Sequence, residues 1–471
     1  MTERREFIRK SLMGVTAVAI GGLGSNAINI AKKDLQPHVE EEELVYRYEP
    51  ANNGAGPMWC NGSSCLVRIG DRIFASGLET VGDWKPLNNC RWMLFERSRE
   101  GWTKIMTDPE GRTREPSPLA SFQDGSLFLS ANPTLTAPDV QAGPARPEIL
   151  LFDTNGKQWK PEKLLPGWDG SPEFTEHSYR SFASDGAGKE LIILQNIGYT
   201  HAEWAFRDAS GNWTARGQLK WPWGSEYEEP EPIRVCYPNV MLKGKAVYFC
   251  GVSDIIEPKK AWREYKKEIT GREWDYDFRR LFFTWSEDIT REGFHPWVEV
   301  SSREETCGWI FPCDLWAAPD GAVHLLWTER AIDERLREKF FPSARQSHAL
   351  NYAIVRSGKV ISRRSLVLAE EGGSKEIPGP ARFQVTPDNR LLVVYYIGGT
   401  DASGQAVAEN RVMELFPEGL QGIPVTIPLK QPFTSFFTAT VRAGSKPSRT
   451  LDMLGTTGEA NTIRYARISI M

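Results

Sequence analysis

The chain has 471 residues, 40% of them hydrophobic and 25% charged, with a formal net charge of −4. That balance excludes an intrinsically disordered chain, and nothing in it suggests a nucleic-acid binder, which would carry a basic excess. Seventeen Trp, 41 Gly and 31 Pro favour many short strands joined by turns over a helical bundle.

The first element in chain order is an export signal. Arg4 and Arg5 precede Phe7 and Ile8, a short apolar run extends from Leu12 to Leu23, and Ser25 and Ala27 are small enough for signal peptidase. We read residues 1–27 as a twin-arginine signal, 28–40 as a flexible linker and 41–471 as one domain. The expected location is the periplasm or the extracellular space, with no stable membrane insertion once the signal is cut. Cleavage would remove four basic and two acidic residues, taking the formal charge from −4 to −6.

From residue 65 onward one two-part phrase recurs. A strand, a Gly-containing hairpin and an apolar strand are followed by a variable loop and a second hairpin that often ends in Trp. The first half occurs seven times, at 65–77, 118–132, 181–196, 237–251, 314–329, 382–398 and 436–455; "CLVRIGDRIFASG" and "RFQVTPDNRLLVVYYIG" are examples. The fold class is therefore all-β, a seven-bladed β-propeller of four-stranded antiparallel blades. "EEELVYRYEP" (41–50) before the first unit or "TIRYARISIM" at the end of the last should close the ring. "EPKKAWREYKKEITGREW" and "AIDERLREKFF" have helical spacing, which places short helical insertions in the B–C loops of blades 4 and 5.

With strands labelled A to D from the axis outward, the A–B and C–D turns are tight and share one face. The B–C loops and inter-blade connections are long and varied and share the other, where function should sit. The starts of the A strands then bring Trp59 and Asn61, Glu115, His177 with Tyr179 and Arg180, Tyr237, Asp314, Arg382 and Ser435 to one funnel. The ends of the B–C loops add Arg91, Arg146, His201, Arg279 with Arg280, His348 and Arg411. "REWDYDFRR" brings Asp277 to the rim. So many Arg point to an anionic ligand, an acidic oligo- or polysaccharide. His177 and His201 are the candidate bases, Tyr237 is the candidate acid, and Arg180, Arg279 and Arg280 form the candidate anion clamp. Arg91, Glu115, Arg146, Tyr179, Asp277, Asp314, His348 and Arg382 complete the candidate binding set. Seven Cys without a close CxxC predict no metal centre, and no cofactor is expected. Cys60–Cys90 and Cys307–Cys313 remain open as disulfide pairs.

On His177, His201, Tyr237 and the Arg-rich funnel, the chain resembles the seven-bladed propeller group of short ulvan lyases and rhamnose–glucuronate lyases and hydrolases. The resemblance implies His and Tyr as base and acid, an Arg on the uronate carboxylate, and metal-free chemistry. It departs from that group where "CGVSDIIEP" has Ser253 and Asp254 in place of an expected Arg. A second resemblance lies in the hairpins 98–102, 153–159, 208–213 and 286–297, which are similar to degenerate Asp-boxes of sialidase-like propellers. It implies an exo-glycosidase drawing on Arg91, Arg382, Tyr179, Glu115 and Asp314. A non-catalytic glycan-binding propeller is the third alternative.

Overall fold

The computed structural model describes residues 35–60, 62–156, 158–416 and 420–471. The expected export signal, the linker up to residue 34 and Asn61 lie outside them. Among the described residues there are seven four-stranded antiparallel sheets and two short two-stranded ribbons, as the sevenfold repeat predicts. Blade 1 comprises Leu66–Ile69, Arg72–Thr80, Cys90–Ser98 and Gly101–Thr107; blade 2 comprises Leu119–Ser121, Ser126–Ala131, Glu148–Asp153 and Glu162–Leu164. Arg180–Asp185, Glu190–Ile197, His201–Arg207 and Trp213–Lys220 form blade 3, and Val235–Lys243, Ala246–Ser253, Arg280–Ser286 and Val298–Ser302 form blade 4. Blade 5 is Trp309–Ala317, Val323–Arg330, Ser347–Arg356 and Lys359–Glu370; blade 6 is Lys375–Val385, Leu391–Thr400, Ala406–Leu415 and Val425–Ile427.

Blade 7 closes the ring. Its three inner strands, Ser435–Thr438, Thr450–Thr456 and Thr462–Ile470, are C-terminal, and its outer strand is the N-terminal segment Pro37–Arg47. That strand starts inside the stretch expected to be a linker, because Pro37, His38 and Val39 already pair with Ile470, Ser469 and Ile468. Pairing leaves no free inner edge at the seam.

The recurring Trp residues explain the repeat. Trp102 of blade 1 packs edge-on against Tyr465 of blade 7, Trp159 of blade 2 reaches Phe74 of blade 1, and Trp297 of blade 4 reaches Trp221 beside blade 3. These outer hairpins thus wedge an aromatic ring onto the preceding blade, and burial of 150–250 Å² per ring, about 4 kcal/mol or more each, holds those blades face to face. The acidic residues before them cap the turns: Asp153 accepts from the N–H of Asn155, and Asp208 from the N–H groups of Ser210 and Asn212.

One A–B connection is not a tight turn. Residues 439–449 of blade 7 fold into the central channel as a plug. There Ser121 N–H donates to Ala443 O at 2.9 Å, Ser184 N–H to Arg442 O at 3.0 Å, and Ser448 N–H to Val385 O at 2.9 Å. Arg68 N–H donates to Ser445 Oγ. Arg442 ion-pairs with buried Asp314 at 2.7 Å and donates to Gly62 O and Asn239 Oδ1. The plug thereby touches all six other blades. Only glycine fits at Gly444, where φ is +85° and a Cβ would lie 1.9 Å from Ser121 O.

Helix α1 (Lys260–Thr270) and helix α2 (Glu334–Phe340) occupy the B–C loops of blades 4 and 5 as expected. They pack on each other through Trp262, Tyr265, Leu336, Phe340 and Phe341. Among the described residues, no helix is long and apolar enough to cross a membrane. All seven cysteines are free thiols, so neither candidate disulfide is formed; Cys90 instead receives a hydrogen bond from Asn53, and Cys307 one from Arg279.

Candidate functional site

The starts of strands A carry the site. In blade 4 the register slips between Cys236 and Asn239, so that Tyr237 and Pro238 bulge against Gly251, and Tyr237 takes φ +50°. A left-handed Tyr costs about 1–3 kcal/mol, and such strain gathers where a side chain has been re-aimed. Here it turns the Tyr237 ring into the funnel, within 5.5 Å of Tyr179, 5.9 Å of Trp59, 5.8 Å of Phe278 and 6.0 Å of Phe311. Phe311 stacks on Trp309 at 5.5 Å. The funnel therefore has an aromatic floor running from blade 1 to blade 5. Burial raises the Tyr179 and Tyr237 phenols well above their ordinary value, so both hydroxyls stay protonated donors.

Beneath this floor is a narrow pit of about 20 Å³, lined by Trp59, Glu115, Tyr179, Arg180 and Tyr237 among others. It has room for one water-sized group. Glu115 is buried, and its Oε1 accepts no hydrogen bond; Arg114 Nη1 stands 3.6 Å away. Burial pushes the carboxyl up to about 7 against the pull of Arg180 and Arg114. A carboxyl that exchanges its proton near neutrality is equipped for general acid–base work.

Beside the pit, a wider cavity of about 390 Å³ opens between blades 5 and 6, lined by Trp309, Phe311, Glu329, Arg330, His348 and Arg382 among others. A second bulge makes the room: Gly379 and Pro380 together face the single residue Tyr396 between the pairs Pro378–Ile397 and Ala381–Tyr395.

The remaining expected site residues are placed differently. His177 lies at the funnel wall, but its Nδ1 is 2.7 Å from Arg114 Nη1, and a guanidinium can only donate. Its lone pair is thus occupied, Nε2–H faces Glu176 Oε1 at 3.4 Å, and burial with the Arg114 charge lowers its pKa. In this arrangement it is not a base. His201 sits on the third strand of blade 3, held by Thr200 Oγ1 at 2.7 Å and Glu203 Oε1 at 3.1 Å, with no contact to His177.

The three arginines of the expected anion clamp do not come together among the described residues. Arg279 is 1% exposed and bidentate to Glu257 at 2.8 and 2.9 Å, within a buried network of Lys266, Asp277 and Glu304 under α1. Asp277 accepts from Ser253 and is buried, not at the rim. Arg280 pairs with Glu299 and Glu226, and Arg180 donates to Pro116 O at 2.6 Å. Arg91 pairs with Glu79, Arg411 with Glu376 and Glu409, and Arg146 is exposed. Asp314 belongs to Arg442 in the channel, and Arg382 donates to Cys313 O. The sialidase-like set therefore does not assemble. Of the whole expected set, Glu115, Tyr179, Arg180 and Tyr237 meet in the pit, and His348 and Arg382 in the wider cavity.

No family model and no curated protein matches the chain. Solved structures do align with it. A protein of unknown function from Dyadobacter fermentans matches with a TM-score of 0.44 at 12% identity, over 92% of this chain and 99% of that one. An α-L-arabinanase from Penicillium chrysogenum, complexed with arabinobiose, matches at 0.39 and 11%, over 93% and 98%. An α-L-arabinofuranosidase from Fusarium graminearum, in complex with an iminosugar inhibitor, matches at 0.41 and 10%, over 87% and 98%. Two of these three are glycosidases, and at such identities a likeness concerns chain path alone.

Proposed function

We propose that the chain is an exported carbohydrate-active enzyme whose funnel cleaves a glycan by acid–base chemistry at Glu115, Tyr179 and Tyr237. One observation carries this reading: a buried carboxyl, free of hydrogen bonds at Oε1 and titrating at about 7, lies under a floor of aromatic rings. Aromatic faces are suited to the apolar faces of sugar rings, and the polar groups between them to hydroxyls. Other carboxylates nearby are engaged, Asp254 by Arg234 at 2.8 Å, Asp314 by Arg442 and Glu176 by Gly143 N–H. Hydrolysis by paired carboxylates needs a second free one. That supports β-elimination ahead of hydrolysis. Ionised Glu115, acting through the one water-sized group that fits the pit, takes the proton beside a sugar carboxylate, the electron pair forms the ring double bond as the glycosidic C–O bond breaks, and a Tyr hydroxyl protonates the leaving oxygen.

The test is turnover of a panel of neutral and acidic oligosaccharides, with products followed by reducing ends and by the ultraviolet absorbance of an unsaturated sugar. Glu115→Gln and Tyr237→Phe should each lower turnover by about 100-fold or more while glycan binding persists. Wild-type activity retained in both variants would refute the assignment; binding without turnover by the wild type would make the funnel a glycan-binding site. Reducing ends without ultraviolet absorbance would replace elimination by hydrolysis.

A further inference from the structure

We infer that the cavity between blades 5 and 6 is a subsite for an anionic sugar residue, held by Arg330 over the Trp309–Phe311 platform. The inference deepens the proposed function and rests on it, since it names the substrate class of the same funnel.

The register of blade 5 makes this site. Trp309 lies directly opposite Arg330, and Arg330 directly opposite His348, so the three form one row across strands A, B and C at the funnel end of the blade. Residues paired in this way project from the same face with Cβ atoms about 5 Å apart. Phe311, two residues along, shares that face, and its ring stacks on Trp309 with 13° between the planes. Trp309 is 37% exposed although large and apolar, so its ring is presented to solvent at the cavity.

Arg330 supplies the charge. Three arginines line the two cavities of the funnel. Arg180 and Arg382 each donate to a backbone carbonyl, and the Arg180 Nε left without a partner belongs to the narrow pit rather than to the wider cavity. The Arg330 guanidinium has neither a carboxylate nor a carbonyl partner among the described residues, and its Nε is buried without one. The cavity's own carboxylate, Glu329, is saturated by Ser301, by Trp327 Nε1 at 2.6 Å and by Arg303 at 2.7 Å. His348 beside Arg330 is kept neutral by burial and by that guanidinium, so it adds a hydrogen bond without adding charge. An unpaired planar cation facing a cavity of about 390 Å³ beside stacked rings fits a sugar carrying a carboxylate or a sulfate ester, both of which a guanidinium grips through two N–H groups.

Calorimetry on the full chain, with Glu115→Gln as background to suppress turnover, tests this. The probes are a glucuronate-containing tetrasaccharide, the same sugar with its carboxyl reduced to the alcohol, and a sulfated form of that neutral sugar. We expect the glucuronate sugar to bind at least about tenfold tighter than the reduced one, and this preference to fall as sodium chloride rises. Adding Arg330→Gln should erase the preference, bringing the glucuronate sugar's affinity down to that of the reduced sugar. Tight binding of the sulfated form alone would place a sulfate ester in the same clamp. Equal affinity for charged and uncharged sugars, at all salt concentrations, would overturn the subsite and leave the glycan reading standing. Failure of every sugar to bind would overturn both. The salt dependence needs no change at Arg330, so it decides the question even if that variant fails to fold.

Discussion

Glu115 gives a prediction that needs no substrate. Its carboxyl is held at about 7 against 4.5 for an ordinary glutamate. Between those values the folded chain retains a proton that the unfolded chain releases, so this group's stabilising contribution is complete below about 4.5 and is lost as pH rises through about 7. At roughly 1.4 kcal/mol for each tenfold change in proton affinity, the loss is about 3 kcal/mol. Glu115→Gln removes the titration and keeps the shape. Urea unfolding of both proteins from about pH 4.5 to about pH 8 should therefore give curves that diverge: wild type loses about 3 kcal/mol relative to the variant across the window, and the difference is flat above it. Asp277, also pushed to about 7 by burial, contributes to both proteins and cancels in the comparison. Parallel curves would show that Glu115 is solvated or paired in solution, and would remove the physical basis for its role as an acid–base group.

Arg442→Met should destabilise the propeller by about 3–5 kcal/mol in urea unfolding, because it strands the Asp314 charge in the interior. Adding Asp314→Asn should restore at least about 1 kcal/mol; a single-variant loss under about 1 kcal/mol would mean the plug does not depend on this pair. Arg4→Lys together with Arg5→Lys should hold the protein in the cytoplasm, measured by fractionation, and unchanged export would refute the signal reading.

The blades were legible because their information is local. A turn followed by an apolar strand, and a Trp closing several of the outer hairpins, recur along the chain, and the wedge each such Trp makes follows from that spacing. The site was legible only in part. Strand starts identified Glu115, Tyr179 and Tyr237 as neighbours, but not which arginines were free. Arg279 meets its partner Glu257 across an insertion of 22 residues, and Arg442 meets Asp314 across 128, distances over which sequence gives no register. Arg330 escapes the sequence reading because it ends a B strand, whereas that reading counts only the starts of strands A and C as funnel positions. What reveals it is the pairing Trp309–Arg330–His348. The plug was hidden by its length, since residues 436–455 read as one more hairpin.

The composite seventh blade also sets an order of events during synthesis. The strand Pro37–Arg47 emerges early, yet its partner Thr462–Ile470 is made more than 400 residues later. Through that interval it is an unpaired strand exposed to other nascent chains. Its sequence suits the wait: Glu40, Glu41, Glu42 and Glu43 are consecutive, and a run of like charge discourages edge-to-edge association. Once the ring shuts, the same side chains act as fasteners. Glu43 takes Arg97 of blade 1 at 2.7 Å, and Glu42 accepts from Lys430 N–H beyond blade 6 at 3.0 Å. A single acidic stretch thus disfavours edge pairing before the ring closes and fastens the finished one on both sides of its seam.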